Sequence, residues 1–374
     1  MLQIKACHVS DSLEFGALLL LACDVGSTIG ESTQVTCSNP DRASKSILRA
    51  RAWLITDNKV GMLVQCRGVV DALHLDYVHK QVDPKGVRRL LSPWLHPAKS
   101  EHFGEIGSAF APPWPDIAIA TGRLSIPYIR ALSRWAGART FTVVLQNPRT
   151  GLGTADLIWV PEHDLLRGQN VITTLTAPHS FSQDRLAELR KAIPAEIAAL
   201  PRPRVAILLG GPTRAYRYAK ADLDRFGRAL ASVAALNPSF LVTPSRRTPM
   251  ELTNVADAAT RSRPRLLWAG GGENPYPSFL AHADVLIVTA DSINMTSEAC
   301  ATGRPVYVFE AKLSNKHARF HLALRRYGAT RSLPDGLSHL EQWTYTPLHA
   351  APQIAAEIAR RWRQPGSGLS LSCS

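Results

Sequence analysis

A chain of 374 residues is longer than one comfortable hydrophobic core and fits two domains of ordinary size. With 45% apolar and 20% charged residues it has the composition of a globular protein, which excludes wholesale disorder. Its net charge of +13 favours an anionic partner: a nucleic acid, a membrane surface or a phosphorylated small molecule.

The first 48 residues differ from the rest. They carry three basic against five acidic side chains, so the positive excess lies in residues 49–374. The longest apolar run, Phe15 to Cys23, is about half of what a bilayer-spanning helix needs, so no integral membrane protein is expected. Beyond it lies a Ser/Thr-rich stretch with neither helical nor strand period. This segment reads as a poorly ordered extension. The alternative is a secretory or lipoprotein signal with Leu20-Leu-Ala-Cys23 as acceptor box; only Lys5 precedes the run, and Asp11 and Glu14 sit at its edge. The cysteines (7, 23, 37, 66, 300 and 373) form no CxxC pair and read as reduced thiols in a cytoplasmic setting.

From residue 52 short apolar runs alternate with amphipathic stretches. Strands are expected at 52–56, 115–120, 141–146, 155–160 and 170–174, with helices at 63–73 and 126–135. A helix at 184–192, then Pro194 and Pro201-Arg-Pro203, marks a linker over 183–203 between a first domain (49–182) and a second (204–350). The second domain restarts with a strand at 204–209 and Gly210-Gly211. Helices at 221–237, 250–262, 276–282 and 294–302 then alternate with strands at 239–243, 265–268, 284–289 and 305–309. A last helix at 353–363 aligns Ile354, Ile358 and Trp362 in one apolar stripe, and residues 365–374 form a Gly/Ser-containing tail. Strands of this length covered by helices predict two doubly wound α/β domains with parallel sheets.

In such sheets ligands bind beyond the carboxyl ends of the strands, where helix N-termini offer unpaired N–H groups. Two loops of the second domain have that character. In Leu209-Gly-Gly-Pro-Thr-Arg214, Gly210 and Gly211 would let backbone approach a phosphate, with Thr213 and Arg214 adding a hydroxyl and a charge; a mere tight turn is the plainer reading. In the second, Asp291 or Ser292 caps a helix whose first turn holds Asn294 and Thr296, and Glu298 shares the face of Asn294. Read functionally, this loop cradles a nucleotide, with Glu298 on the ribose hydroxyls. Arg246 and Arg247 come just after a neighbouring strand and suit a diphosphate. Arg123, Arg149, His163 and His179 each come just after a first-domain strand, so together they would line an anionic cleft. The basic residues are scattered, and no zinc-finger, basic-zipper or RNP-type motif is present, so nucleic acid is not the expected partner.

The segment around Glu298 resembles the nucleotide-binding signature of GT-B glycosyltransferases, and Gly210-Gly211 resembles their companion glycine loop. Over roughly residues 52–363 the chain resembles the mitochondrial-fission "elongated mitochondria" family, including its bacterial members. The matching words include Trp53-Leu-Ile-Thr-Asp57, Gly61, Gln65, Thr121-Gly-Arg123, Gln146-Asn-Pro-Arg149, Val160-Pro-Glu-His-Asp164 and Ala177-Pro-His179. They continue with Leu209-Gly-Gly-Pro212, Ser245-Arg-Arg-Thr-Pro249, Asn274-Pro-Tyr276, Val288-Thr-Ala-Asp-Ser292 and Thr302-Gly-Arg-Pro305. Family members often carry a histidine just after the first-loop glycine, where this chain has Gly61-Met62.

The resemblance implies a GT-B-like pair of Rossmann-like domains binding a nucleotide diphosphate-sugar on the second and an acceptor on the first, near Gly61 and Gln65. Transfer would need no metal and no cofactor. Asp57 or His179 would act as base, and the acceptor would be a glycolipid or other cell-envelope group reached peripherally at the inner membrane face. A non-catalytic fission scaffold and a nucleotide-sugar epimerase are the alternatives.

Overall fold

Two six-stranded sheets, each entirely parallel, organise the chain. The computed structural model describes residues 46–57, 59–212 and 217–363, so the tail and all but the last three residues of the expected extension lie outside the described residues.

The first sheet contains β1 (Ala52–Thr56), β2 (Tyr77–Gln81), β3 (Ile117–Thr121), β4 (Phe141–Leu145), β5 (Leu157–Pro161) and β6 (Val171–Thr174). Its spatial order is β2-β1-β3-β4-β5-β6, with Trp53 opposite Val78 on one side and Ala118 on the other. Helices α1 (Val60–Leu73), α2 (Gly86–Leu91) and α3 (Ile126–Ala136) connect these strands. Every residue of β1, β3, β4 and β5 is buried, which is why they read as unbroken apolar runs in sequence.

Two helices come next, α4 (Gln183–Lys191) and α5 (Ala195–Ala198). The stretch expected as a linker is therefore folded, and its Leu186 and Ile197 sit in the second lobe's core with Phe279 and Leu280. The second sheet contains β7 (Arg204–Leu209), β8 (Ser239–Pro244), β9 (Arg265–Leu267), β10 (Val285–Thr289), β11 (Val306–Phe309) and β12 (Thr330–Ser332), ordered β12-β11-β10-β7-β8-β9. Its helices are α6 (Lys220–Ala235), α7 (Met250–Thr260), α8 (Tyr276–His282), α9 (Ile293–Cys300) and α10 (Asn315–Tyr327). Both lobes are thus doubly wound, the α/β organisation expected from the sequence. The order reverses between β1 and β3 in the first sheet and between β7 and β10 in the second.

The chain then returns. Ile354, Ile358 and Trp362 of α11 (Ala350–Trp362) enter the first lobe's core beside Val69 and Val70 of α1. The apolar stripe of the last helix is therefore core of the first lobe, and truncating a buried aromatic such as Trp362 should cost about 3–5 kcal/mol. No helix among the described residues is long and apolar enough to cross a membrane.

Candidate functional site

The carboxyl ends of β7 and β10 meet where the strand order of the second sheet reverses, the place where a doubly wound sheet opens a crevice. β7 runs into Gly210, whose N–H donates to Thr289 Oγ1 at 2.7 Å. A Cβ on Gly210 would overlap the Asp291 carboxylate, and one on Gly211 would overlap the Arg247 backbone carbonyl. The chain's own close approach thus requires both glycines before any ligand is considered. The Thr248 hydroxyl, between the carbonyls of Leu209 (2.8 Å) and Gly210 (2.6 Å), fixes the loop after β8 against them. Arg246 and Arg247 are exposed on that loop. Thr213 and Arg214 lie outside the described residues.

Beyond β10, Ser292 caps α9: its Oγ accepts from Met295 N at 3.3 Å. Asp291 does not cap. It is buried and accepts a hydrogen bond from the Tyr218 hydroxyl, while its Oδ2 meets no donor at hydrogen-bonding geometry among the described residues. Burial raises its pKa, with the Tyr218 hydroxyl opposing. Thr296, expected in the phosphate cradle, is instead fully buried and donates to the Ser292 carbonyl at 2.9 Å, an interaction internal to the helix.

Glu298 sits farther along α9, only 7% exposed, and one of its carboxylate oxygens accepts from the hydroxyl of Tyr276 in α8. Burial pushes its pKa up to about 7, while Tyr276 and the charge of Arg185 pull the other way. The phenol of Tyr276 is driven well above its usual value by the same burial and by Glu298. Sequence reasoning singles out neither tyrosine partner as a site residue, because the pairing is purely tertiary; Tyr276 lies only inside a matching word.

Asn294 turns toward the first lobe. Its Oδ1 accepts from Gln65 Nε2 at 3.1 Å, and Gln65 Oε1 accepts from Gln146 Nε2 at 3.0 Å. Asn294 Nδ2 lies 3.5 Å from the Gly61 carbonyl, and a Cβ on Gly61 would stand 2.9 Å from that nitrogen. Residues expected on opposite sides of a cleft thus touch, and Gly61 is small because Asn294 comes so close. His163 joins the lobes similarly: it is buried, with its ring 5.5 Å from that of Phe320 in α10. Burial and the neighbouring Lys316 lower its pKa to about 4.

Asp57 directly follows β1 at the first sheet's strand reversal. Its Oδ1 accepts from Lys59 N at 3.1 Å, and Lys59 Nζ lies 2.5 Å from Oδ2. A Cβ on Gly122 (φ +89°) would stand 3.8 Å from the same oxygen. Two first-lobe expectations need correction. His179 is 5% exposed and packed beside Phe181 and His349, and burial lowers its pKa to about 3, too weak a base for a hydroxyl proton near neutrality. Arg123 spends its guanidinium on the carbonyls of Arg89 (2.8 Å), Leu90 (2.8 Å) and Ser92 (2.5 Å), closing the end of α2 instead of lining a cleft. Arg149 is exposed in the turn after β4, at φ +63°.

The fold and this arrangement define a two-lobed, doubly wound α/β protein with a capped helix N-terminus and a buried carboxylate at the strand reversal of its second lobe. The chain belongs to the mitochondrial fission ELM1 family, whose model matches residues 60–362. It is 33% identical over 280 residues to the mitochondrial fission protein ELM1 of Arabidopsis thaliana, covering 68% of this chain and 66% of that protein. An uncharacterized protein of Rickettsia prowazekii is 29% identical over 159 residues, 41% of this chain and 45% of that protein. The match thus spans less than two thirds of either relative. Among solved structures, the UDP-GlcNAc 2-epimerase of Methanocaldococcus jannaschii aligns with a TM-score of 0.47 at 9% identity, over 83% of this chain and 99% of that one. MurG of Acinetobacter baumannii aligns at 0.44 and 14% identity, over 85% and 97%. The glycosyltransferase SnogD of Streptomyces nogalater aligns at 0.45 and 15%, also over 85% and 97%.

Proposed function

We propose that this protein binds a nucleoside diphosphate-sugar at the strand reversal of its second lobe and transfers the sugar to a lipid-linked or other cell-envelope acceptor held by the first. The observation that carries the reading is Glu298: a carboxylate buried on the helix that begins at that reversal, with one oxygen held by Tyr276. Ribose hydroxyls would meet the second oxygen. The diphosphate would lie against the N-terminus of α9, whose unpaired N–H groups and dipole favour negative charge, with Arg246 and Arg247 adding cations.

In transfer, the acceptor oxygen bonds to the anomeric carbon, the bond from that carbon to the diphosphate oxygen breaks, and the electron pair leaves with the nucleoside diphosphate. The helix terminus stabilises that charge as it develops. Asp57 would accept the acceptor proton once its pair with Lys59 opens. A binding-only scaffold is the second reading, favoured by the finding that Gly210 and Gly211 are explained by the chain's own packing.

The test is thermal unfolding of the full chain with UDP, GDP, ADP, TDP or CMP, repeated on Glu298→Ala. Nucleotide at about a hundred times its dissociation constant should add about 2.7 kcal/mol. Saturable stabilisation by one nucleotide, lost in Glu298→Ala, is the expected result. No shift with any of them would overturn the transferase reading and leave the scaffold.

A further inference from the structure

α2 buries none of its residues. Val87, Leu90 and Leu91 fall at the i, i+3, i+4 spacing of one helix face, and Trp94 follows in the turn after the helix ends at Leu91; all four are exposed, Leu90 at 74% and Trp94 at 58%. Four large apolar side chains in eight residues turned to water would ordinarily be the signature of a covered surface. The ridge is not a loose tip. Arg123 holds the carbonyls of Arg89, Leu90 and Ser92, and the Ser92 hydroxyl returns a bond to the Arg123 carbonyl at 2.9 Å.

Cations surround the ridge. Over residues 85–139 there are eight Lys and Arg against three acidic residues, of which Glu101 bonds Tyr128 and Glu105 pairs with His102. Just before the helix, Asp83 pairs with Lys85 and Arg89. Arg130 reaches toward the Trp94 carbonyl and Arg134 meets His96. His96, two residues after Trp94, is held below its usual pKa first by burial and then by the charges of Arg134, Arg130 and Arg88. Next to them lies a depression of about 360 Å³ lined by His96, Lys99, His102, Phe103, Arg134 and Trp135.

We infer that the ridge Val87–Leu90–Leu91–Trp94, with Arg88, Arg130, Arg134 and Lys99 around it, docks the first lobe onto an anionic phospholipid bilayer. The apolar side chains enter the headgroup boundary, the tryptophan takes the interfacial position its amphipathic ring favours, and the cations face lipid phosphates. Charge complementarity selects the bilayer: an apolar face ringed by guanidinium groups fits an anionic interface with hydrocarbon beneath it. The inference deepens the lipid-linked acceptor of the proposed function and rests on it for its purpose, while its test needs no nucleotide.

Full-length protein is floated with vesicles of phosphatidylcholine alone and of phosphatidylcholine with roughly a third phosphatidylglycerol. Binding to the anionic vesicles, weakened by salt, is expected. Leu90→Glu with Trp94→Glu should lower partitioning at least tenfold. Arg130→Gln with Arg134→Gln should lower it on anionic vesicles only. All four positions are surface residues or rim cations, so the thermal midpoint is measured on each variant to verify folding.

Absence of wild-type binding to anionic vesicles would overturn the inference. So would a Leu90→Glu/Trp94→Glu variant that binds within twofold of wild type, or a wild-type dimer in sedimentation that this variant dissociates. A wild-type protein that shows a nucleotide shift and no vesicle binding would reject the docking surface alone, whereas one that binds anionic vesicles and shows no nucleotide shift would reject the transferase reading alone.

Discussion

Gln65 Nε2 donates to Asn294 Oδ1 at 3.1 Å, joining the first helix of one lobe to the opening turn of the helix that carries Glu298 in the other. Because Gln65 also accepts from Gln146 at 3.0 Å, three amides form a chain from the end of β4 to the second lobe. Truncating Asn294 to alanine leaves the buried Gln65 amide without its acceptor, which should cost about 1–3 kcal/mol. A cycle of Gln65→Ala, Asn294→Ala and the double variant, read by urea denaturation, should give a coupling of about 0.5–3 kcal/mol. Strict additivity would show that the two side chains do not act together.

Gly210 and Gly211 differ in what stands against them. A methyl on Gly210 meets the carboxylate end of Asp291, a side chain that can turn, although Tyr218 and burial hold it. A methyl on Gly211 meets the backbone carbonyl of Arg247, which cannot move without shifting the loop after β8. Both alanine variants should therefore be destabilised by overpacking, on the order of 1–3 kcal/mol, with Gly211→Ala the worse. Equal or reversed losses in thermal unfolding would contradict this geometry.

Most of the architecture is legible in the sequence because interior parallel strands are apolar on both faces: Ala52–Thr56, Arg204–Leu209 and Ser239–Pro244 begin where their sequence pattern does. The elements that escape it lie at edges or carry little apolar signal. Strand β2 is an outer strand with a half-exposed Tyr-Val-His-Lys-Gln sequence, and β12 is a three-residue outer strand. Helix α10 buries only Phe320, His321 and Leu324 among many cations. At the site, the Ser292 cap is readable because capping is local chemistry. The roles of Tyr218, Tyr276 and Gln146 are not, because each meets its partner only after the chain has folded, and the same holds for Arg123, whose three carbonyl partners lie more than thirty residues away.

His163, His179 and His321 are each buried with one unpartnered ring nitrogen among the described residues. Burial lowers their pKa values to about 4, 3 and 4. The unfolded chain takes these protons near pH 6.5, so below that pH it holds more of them than the native state. Stability therefore falls as pH drops from 6.5 toward 4, by on the order of 3 kcal/mol for each histidine at most. Replacing His163 with phenylalanine should lessen the acid slope of the unfolding free energy by about one proton. An unchanged slope between pH 6.5 and pH 4 would show that His163 is protonated in the native state.

Glu298 works in the opposite direction. Its native pKa of about 7 lies above the ordinary 4.5, so between those values the folded protein keeps a proton that the unfolded chain has released. Stability then falls as pH rises through this window and the loss is complete above pH 7, amounting to about 3 kcal/mol. Because the histidines change stability with the reverse sign over much of the same range, the wild-type profile mixes both effects and a variant is needed to separate them. Glu298→Gln keeps an acceptor for the Tyr276 hydroxyl and removes the ionisation. It should match wild type near pH 4.5 and be the more stable of the two above pH 7. A ribose hydroxyl is held best by the ionised carboxylate, so nucleotide-induced stabilisation of wild type should grow from pH 6 to pH 8. The same measurement on Glu298→Gln should be flat. A nucleotide shift that rises equally in both proteins would place the titrating group elsewhere and remove Glu298 from the ribose.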